Sequence, residues 1–159
     1  MDLADLGRVV LDTSVCIYYL DRPADDPRRR VVEPVVSAAE AGTVELVISP
    51  VTVTELLVGP LRERNRAAEA AVRLFVTTLC RLAPAGLAVA GVAARLRAAF
   101  GLATPDALIC ATGVVEEADA VVGNDARWKR LDEVPYVHLD DVLGAAPPRP
   151  ERQPPPGSP

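Results

Sequence analysis

The stretch Arg8-Val9-Val10-Leu11-Asp12-Thr13-Ser14-Val15-Cys16-Ile17-Tyr18-Tyr19-Leu20 decides the fold. Val9-Val10-Leu11 is a short apolar run that reads as a buried strand, placing a strand over Arg8 to Asp12. Thr13 to Leu20 continues without a turn signal as an apolar, mostly helical segment. The order is strand, acid, helix.

The rest of the chain repeats that alternation. Asp21 to Pro27, with two prolines and three aspartates, reads as a loop, and Arg28 to Ala41 suits a helix closed by Gly42. Val44 to Ile48 gives a second strand. Ser49-Pro50 starts a helix that carries Glu55, and Gly59-Pro60 is expected to break it before a longer helix from about Leu61 to Leu79. Leu74, Phe75 and Leu79 are expected on one face of that helix. Arg81 to Ala83 reads as a third strand, and Leu87 to Phe100 as an alanine-rich helix ending at Gly101. Thr104-Pro105 opens another helix reaching about Glu117. Ala120-Val121-Val122 is a fourth strand, ending at Gly123-Asn124-Asp125, and Tyr136 to Leu139 a fifth. Strands separated by helices predict an α/β fold, with a mainly parallel central sheet of four or five strands flanked by helices.

Composition sets the limits of this unit. A chain of 159 residues is expected to fold as one domain. Half of it is apolar and only 4% aromatic, so the core must be aliphatic. The domain is assigned to residues 1–144, with its core from about Arg8 to Gly144. Residues 145–159 hold seven of the fifteen prolines and are expected to form a disordered tail. No apolar run approaches the ~20 residues of a membrane helix, and the N-terminus lacks the positive flank of a signal peptide. A soluble, cytoplasmic protein without membrane contact is expected. Cys16, Cys80 and Cys110 form no CxxC pair, which points to buried small hydrophobes rather than a disulfide framework or a zinc site. The net charge of -5 means that any polyanion must meet a local basic patch or a metal ion.

Asp12, Glu55, Asp106 and Asp125 each lie next to a predicted helix start. Taken singly, Asp12 and Asp125 suit helix caps, Asp106 suits a first turn opened by Thr104-Pro105, and Thr52-x-x-Glu55 matches a capping box. Taken together they suggest a site, because strands of a parallel sheet end on one edge and ligands bind in the crevice there. That argument brings in Asp12, Asp125 and Glu55. Asp106 follows a helix, and topology alone does not bring it in. Converging acids would raise one another's pKa and call for a counter-charge; oxygen-only donors favour Mg²⁺ or Mn²⁺ and phosphoester chemistry.

Four segments resemble the motifs of PIN-domain ribonucleases, and in particular VapC-type toxins of toxin-antitoxin pairs. They are Val10-Leu11-Asp12-Thr13-Ser14-Val15, Val53-Thr54-Glu55-Leu56-Leu57-Val58-Gly59, Pro105 to Thr112, and Val121-Val122-Gly123-Asn124-Asp125. The resemblance runs from Val9 to about Leu139. It implies a Rossmann-like PIN fold and a metal-dependent endoribonuclease acting on RNA. Asp12, Glu55, Asp106 and Asp125 carry over as catalytic acids, with Asp12, Asp106 and Asp125 as ligands of Mg²⁺ or Mn²⁺. Thr13 or Ser14 would supply a hydroxyl beside Asp12, and Asn124 would orient Asp125. The cation would activate a water for in-line attack on phosphorus. A homodimer and a cognate VapB-like antitoxin are implied as partners. Gly123 stands where the family often has Ser or Thr, and Arg127-Trp128 where many members have another acid and an aromatic. The metal number, one or two, therefore stays open, and Arg127 is either a phosphate contact or a solvated arginine.

The same residues admit other readings. A catalytically silent PIN-like module that binds RNA or protein shares the motifs. A haloacid-dehalogenase-like phosphatase fits Leu11-Asp12-Thr13 but needs a second aspartate where Ser14 stands. A dinucleotide-binding module is disfavoured because no Gly-x-Gly-x-x-Gly follows the first strand. His138, the only histidine, reads as a strand residue rather than part of a Ser-His-Asp triad. Trp128 either stacks a base or covers a domain edge. Arg28 to Arg30 and Arg62, Arg64 and Arg66 are solvated faces or local phosphate contacts.

Overall fold

The computed structural model describes residues 2–145. The tail expected over 145–159 lies outside the described residues, except that Ala145 closes the last helix. Five strands, β1 (Arg8–Leu11), β2 (Glu45–Ile48), β3 (Cys80–Leu82), β4 (Ala120–Gly123) and β5 (Tyr136–His138), form one all-parallel sheet in the order β3-β2-β1-β4-β5. The helices are α1 (Thr13–Asp21), α2 (Pro27–Glu40), α3 (Pro50–Arg62), α4 (Arg66–Leu79), α5 (Leu87–Phe100), α6 (Thr104–Val115) and α7 (Leu139–Ala145). Short 3-10 turns cover Leu3–Asp5 and Ala126–Arg130. No helix among the described residues is long and apolar enough to cross a membrane.

Side chains alternate across the strands, and both faces are buried. Val9, Leu11, Leu46 and Val122 join α1, α2 and α4 in one core, while Val10, Val47 and Val121 join α5 and α6 in the other. This two-sided burial is why the strands read as unbroken apolar runs. Leu3 is 1% exposed in the first core, so the folded unit begins ahead of Arg8.

At the amino ends of the strands Arg8 pairs with Glu45, and Arg81 pairs with Glu45 and Glu116. Arg8 Nη1 also donates to the Glu116 carbonyl just past α6. These part-exposed pairs contribute little energy each but fix where α6 ends. With twelve residues, α6 rises about 18 Å, so its first turn reaches the opposite, carboxyl edge of the sheet.

Several local expectations change. The α3 helix runs through Gly59-Pro60 to Arg62, because a proline in the last turn removes a hydrogen bond near a helix end. The break falls at Arg64, with φ +54°, and Asn65 caps α4 by accepting from the Ala68 N–H at 3.0 Å. Ser49 caps α3 through its Oγ, so Thr52-x-x-Glu55 is not a capping box; Thr52 is wholly buried inside the helix. Leu74 is 63% exposed whereas Phe75 is buried, since the two sit about 100° apart around α4. Leu139 opens α7 instead of ending β5.

Candidate acidic site at the carboxyl edge of the sheet

Asp12 follows β1 directly, and its N–H donates to the Val122 carbonyl at 2.9 Å, tying it to β4. Its carboxylate caps α1, accepting from the Ser14 N–H at 3.3 Å and Ser14 Oγ at 2.6 Å. Thr13, also at the start of α1, donates its hydroxyl to Glu55 on α3. The two hydroxyls expected near Asp12 thus serve different acids. Asp125 lies two residues beyond β4 and caps the following turn, accepting from the Arg127 N–H at 2.9 Å. The Arg127 guanidinium holds both Asp125 oxygens, with Nε 3.0 Å from each.

Asp106 sits in the first turn of α6, which the topology does carry to this edge. The signal was present in the sequence: a helix that leads into a parallel strand starts where the strands end. Burial pushes the Asp106 carboxyl up, and the charges of Asp12 and Asp125, then Glu55, push further against the pull of Arg127. Burial likewise raises Asp12, opposed by the Ser14 hydrogen bonds and reinforced by the charge of Glu55. Asp125 is held below the usual carboxylate range by its hydrogen bonds from Arg127. The four acids therefore share one electrostatic neighbourhood.

Among the described residues, no three Asp, Glu, His or Cys side chains stand ready to hold a metal ion as they are. Asp12, Glu55 and Asp125 each accept a hydrogen bond from a donor of their own, Ser14, Thr13 and Arg127. Asn124 does not hydrogen-bond Asp125. Its Nδ2 donates to Tyr18 Oη at 3.1 Å, tying this loop to α1, while its Oδ1 is buried with no partner among the described residues. Arg127 is not a bare solvated arginine either, because its 72% exposed side chain is engaged with Asp125.

Sequence reasoning missed Tyr136 and Tyr18. Tyr136 Oη accepts the Asp125 N–H at 3.0 Å, and Tyr18 receives Asn124 while Arg28 lies 5.0 Å from its ring centroid. The available signal for Tyr136 was Gly123, a residue without a side chain in front of an acid. Trp128 is 1% exposed and packs on Tyr136, so it covers the core and is not placed to stack a base. His138 is buried and accepts from the Asp140 N–H, in no triad. Cys16 and Cys110 are buried, and burial drives both thiols well up.

The family model described as PIN domain matches residues 9–134. Among solved structures, the fold is similar to VapBC2 from Rickettsia felis bound to a DNA fragment from their promoter. That likeness has a TM-score of 0.68 at 17% identity, covering 82% of this chain and 98% of that one. A toxin-antitoxin complex from Klebsiella pneumoniae gives 0.63 at 20% identity, covering 82% and 97%. FitAcB from Neisseria gonorrhoeae gives 0.63 at 24%, again covering 82% and 97%. No curated protein matches the chain.

Proposed function

Because the chain belongs to the PIN domain family, we propose that it is a metal-dependent endoribonuclease, the VapC-type toxin of a toxin-antitoxin pair. Proteins of this family are usually nucleases. The observation that carries the reading is the shared edge: Asp12 directly follows β1, Asp125 lies two residues beyond β4, Thr13 beside Asp12 holds Glu55, and Asp106 sits in the first turn of α6. Carboxylates gathered at one edge disfavour one another's charge and attract cations.

The donor set fits a hard divalent ion, since it consists of carboxylate oxygens without cysteine or histidine. Asp12, Asp106 and Asp125 would hold Mg²⁺ or Mn²⁺, with Glu55 beside them. When bound, the ion supplies positive charge at the phosphoryl oxygens and a water of lowered pKa. The chain does the positioning. Ser14 fixes the Asp12 carboxylate, Thr13 fixes Glu55, and Asn124 anchors the Asp125 loop on Tyr18. Were Asp125 to hold the ion, the exposed Arg127 guanidinium now paired with it would be free to contact a substrate phosphate. Arg22 and Arg28, near the Tyr18 ring, add basic charge for an RNA strand.

Arg127→Ala is expected to raise Mn²⁺ affinity about two- to five-fold, because an exposed competing cation leaves Asp125. It lowers RNA affinity at the same time. Calorimetric Mn²⁺ titration and RNA binding of the same variant check both.

For the partner we propose a VapB-like antitoxin. A cavity of about 260 Å³ opens beside Glu55 between α1, α3 and α4, lined by Ile17, Leu20, Leu56 and Val72 among others. It would receive an apolar segment next to the acids. Leu82 and Leu87, 52% and 90% exposed, offer apolar surface for a homodimer.

The test is incubation of the purified chain, freed of any antitoxin, with a mixed tRNA, rRNA and mRNA pool in Mg²⁺, Mn²⁺ or EDTA. Discrete fragments are expected only with metal, and none with Asp12→Asn. Intact RNA from folded, metal-loaded protein would favour a silent binding module.

A further inference from the structure

Tyr136 stands at the acidic edge without a place in the motifs. A Cβ added to Gly123 would lie 3.1 Å from Tyr136 Cε2, 3.3 Å from Tyr136 Oη and 3.4 Å from Asp12 Cβ. The phenol therefore fills the space in front of Gly123, a space that Asp12 Cβ also borders. The ring is held firmly, with the buried Trp128 ring centroid at 5.4 Å and His138 edge-on at 6.3 Å.

A phenol hydroxyl accepts and donates. Tyr136 Oη accepts from the Asp125 N–H, and it donates no hydrogen bond among the described residues. The neighbouring hydroxyls differ: Ser14 spends its proton on Asp12, and Thr13 spends its proton on Glu55. Tyr136 is thus the hydroxyl bordering Asp12 that has a proton left to give.

Building on the nuclease reading, we infer that Tyr136 is a substrate-contacting residue whose hydroxyl donates to a non-bridging oxygen of the phosphodiester held at Asp12, Asp106 and Asp125. A carboxylate-lined edge repels a phosphate, and a fixed neutral donor between Asp12 and Asp125 offsets that repulsion without competing for the cation. Holding the Asp125 backbone with the same oxygen couples the donor to the loop that carries one of the acids.

The experiment uses the full chain and Tyr136→Phe, which keeps the ring. Binding of 5′-adenylate in Mg²⁺ is followed by NMR, Mn²⁺ binding by calorimetry, and cleavage of an RNA oligonucleotide by kcat and KM. The variant is expected to bind adenylate about ten- to 100-fold more weakly and to lose about ten-fold or more in kcat, the range for one hydrogen bond to a charged group. Mn²⁺ affinity stays within about two-fold, as the carboxylates are untouched. Gly123→Ala, whose methyl would press on the phenol at 3.1 Å and shift it by a few tenths of an ångström, is expected to cause part of the adenylate loss and to add little in the Tyr136→Phe background. Adenylate affinity equal to wild type would overturn the inference. So would a fall in Mn²⁺ affinity that matches the fall in adenylate affinity, since Tyr136 would then act only through Asp125. If wild type cleaves no RNA yet the adenylate difference appears, the nuclease reading fails and the donor stands.

Discussion

Asp106→Asn is expected to lower metal-dependent RNA cleavage by about 100-fold or more while leaving the metal-free protein at least as heat-stable as wild type. The substitution keeps shape and removes a charge. In the wild-type fold that charge is disfavoured by burial and by Asp12, Asp125 and Glu55, and the carboxyl is raised above its ordinary 3.8. A carboxyl raised on folding contributes stability below its unfolded value, and loses that contribution as pH rises through the folded value. At neutral pH the ionised group is therefore a net cost, which asparagine removes. The stability difference between variant and wild type is present at pH 7 and vanishes below pH about 3.8, where both side chains are neutral. Added Mg²⁺ or Mn²⁺ reverses the order, raising the melting temperature of wild type more than that of the variant. Thermal unfolding at the two pH values, with and without metal, checks the stability half, and the RNA pool assay checks the other.

Gly113→Ala is expected to destabilise the domain by about 3 kcal/mol, a fall of roughly 6–12 °C in melting temperature. Glycine to alanine inside a helix ordinarily stabilises. Here the new Cβ would overlap Val121 Cγ2, with β4 behind it. Gly113 is the close-approach point between α6 and the sheet, and both it and Val121 are buried. The clash lifts α6, which carries Asp106 at its other end, so activity falls with stability. Val121→Ala removes the opposing methyl and is expected to recover part of the loss in the double variant. Thermal melts of the two single variants and the double one give the coupling. A double variant as unstable as the sum of the singles would contradict the packing account.

The strand–acid–helix opening was legible because a buried parallel strand is apolar on both faces, and an acid between it and a helix breaks the run. Helix stops were less so. Gly59-Pro60 looked like a break, yet the helix tolerates proline in its final turn; the real stop, Arg64 with positive φ and Asn65 as cap, carries weaker composition signals. Leu74 was expected to share a face with Phe75 and Leu79, but Phe75 turns into the core and Leu74 faces outward, 63% exposed. For the site, motif order names all four acids as candidates, while strand order alone brings in only Asp12, Glu55 and Asp125. The placement of Asp106 depends on where α6 ends, which the Arg8–Glu116 contact reports and no local pattern does. The roles of Tyr136 and Tyr18 depend on side-chain contacts between segments 11 and 106 residues apart in sequence, beyond any local reading.

The most direct test of the account is Mn²⁺ broadening of backbone amide signals in the full chain. The account predicts that sub-stoichiometric Mn²⁺ first erases the amides around Asp12, Glu55, Asp106 and Asp125, four segments that share nothing but the carboxyl edge, and that Asp106→Asn abolishes the effect. Broadening confined to the exposed acids Asp140 and Asp141, or unchanged in the variant, would contradict it.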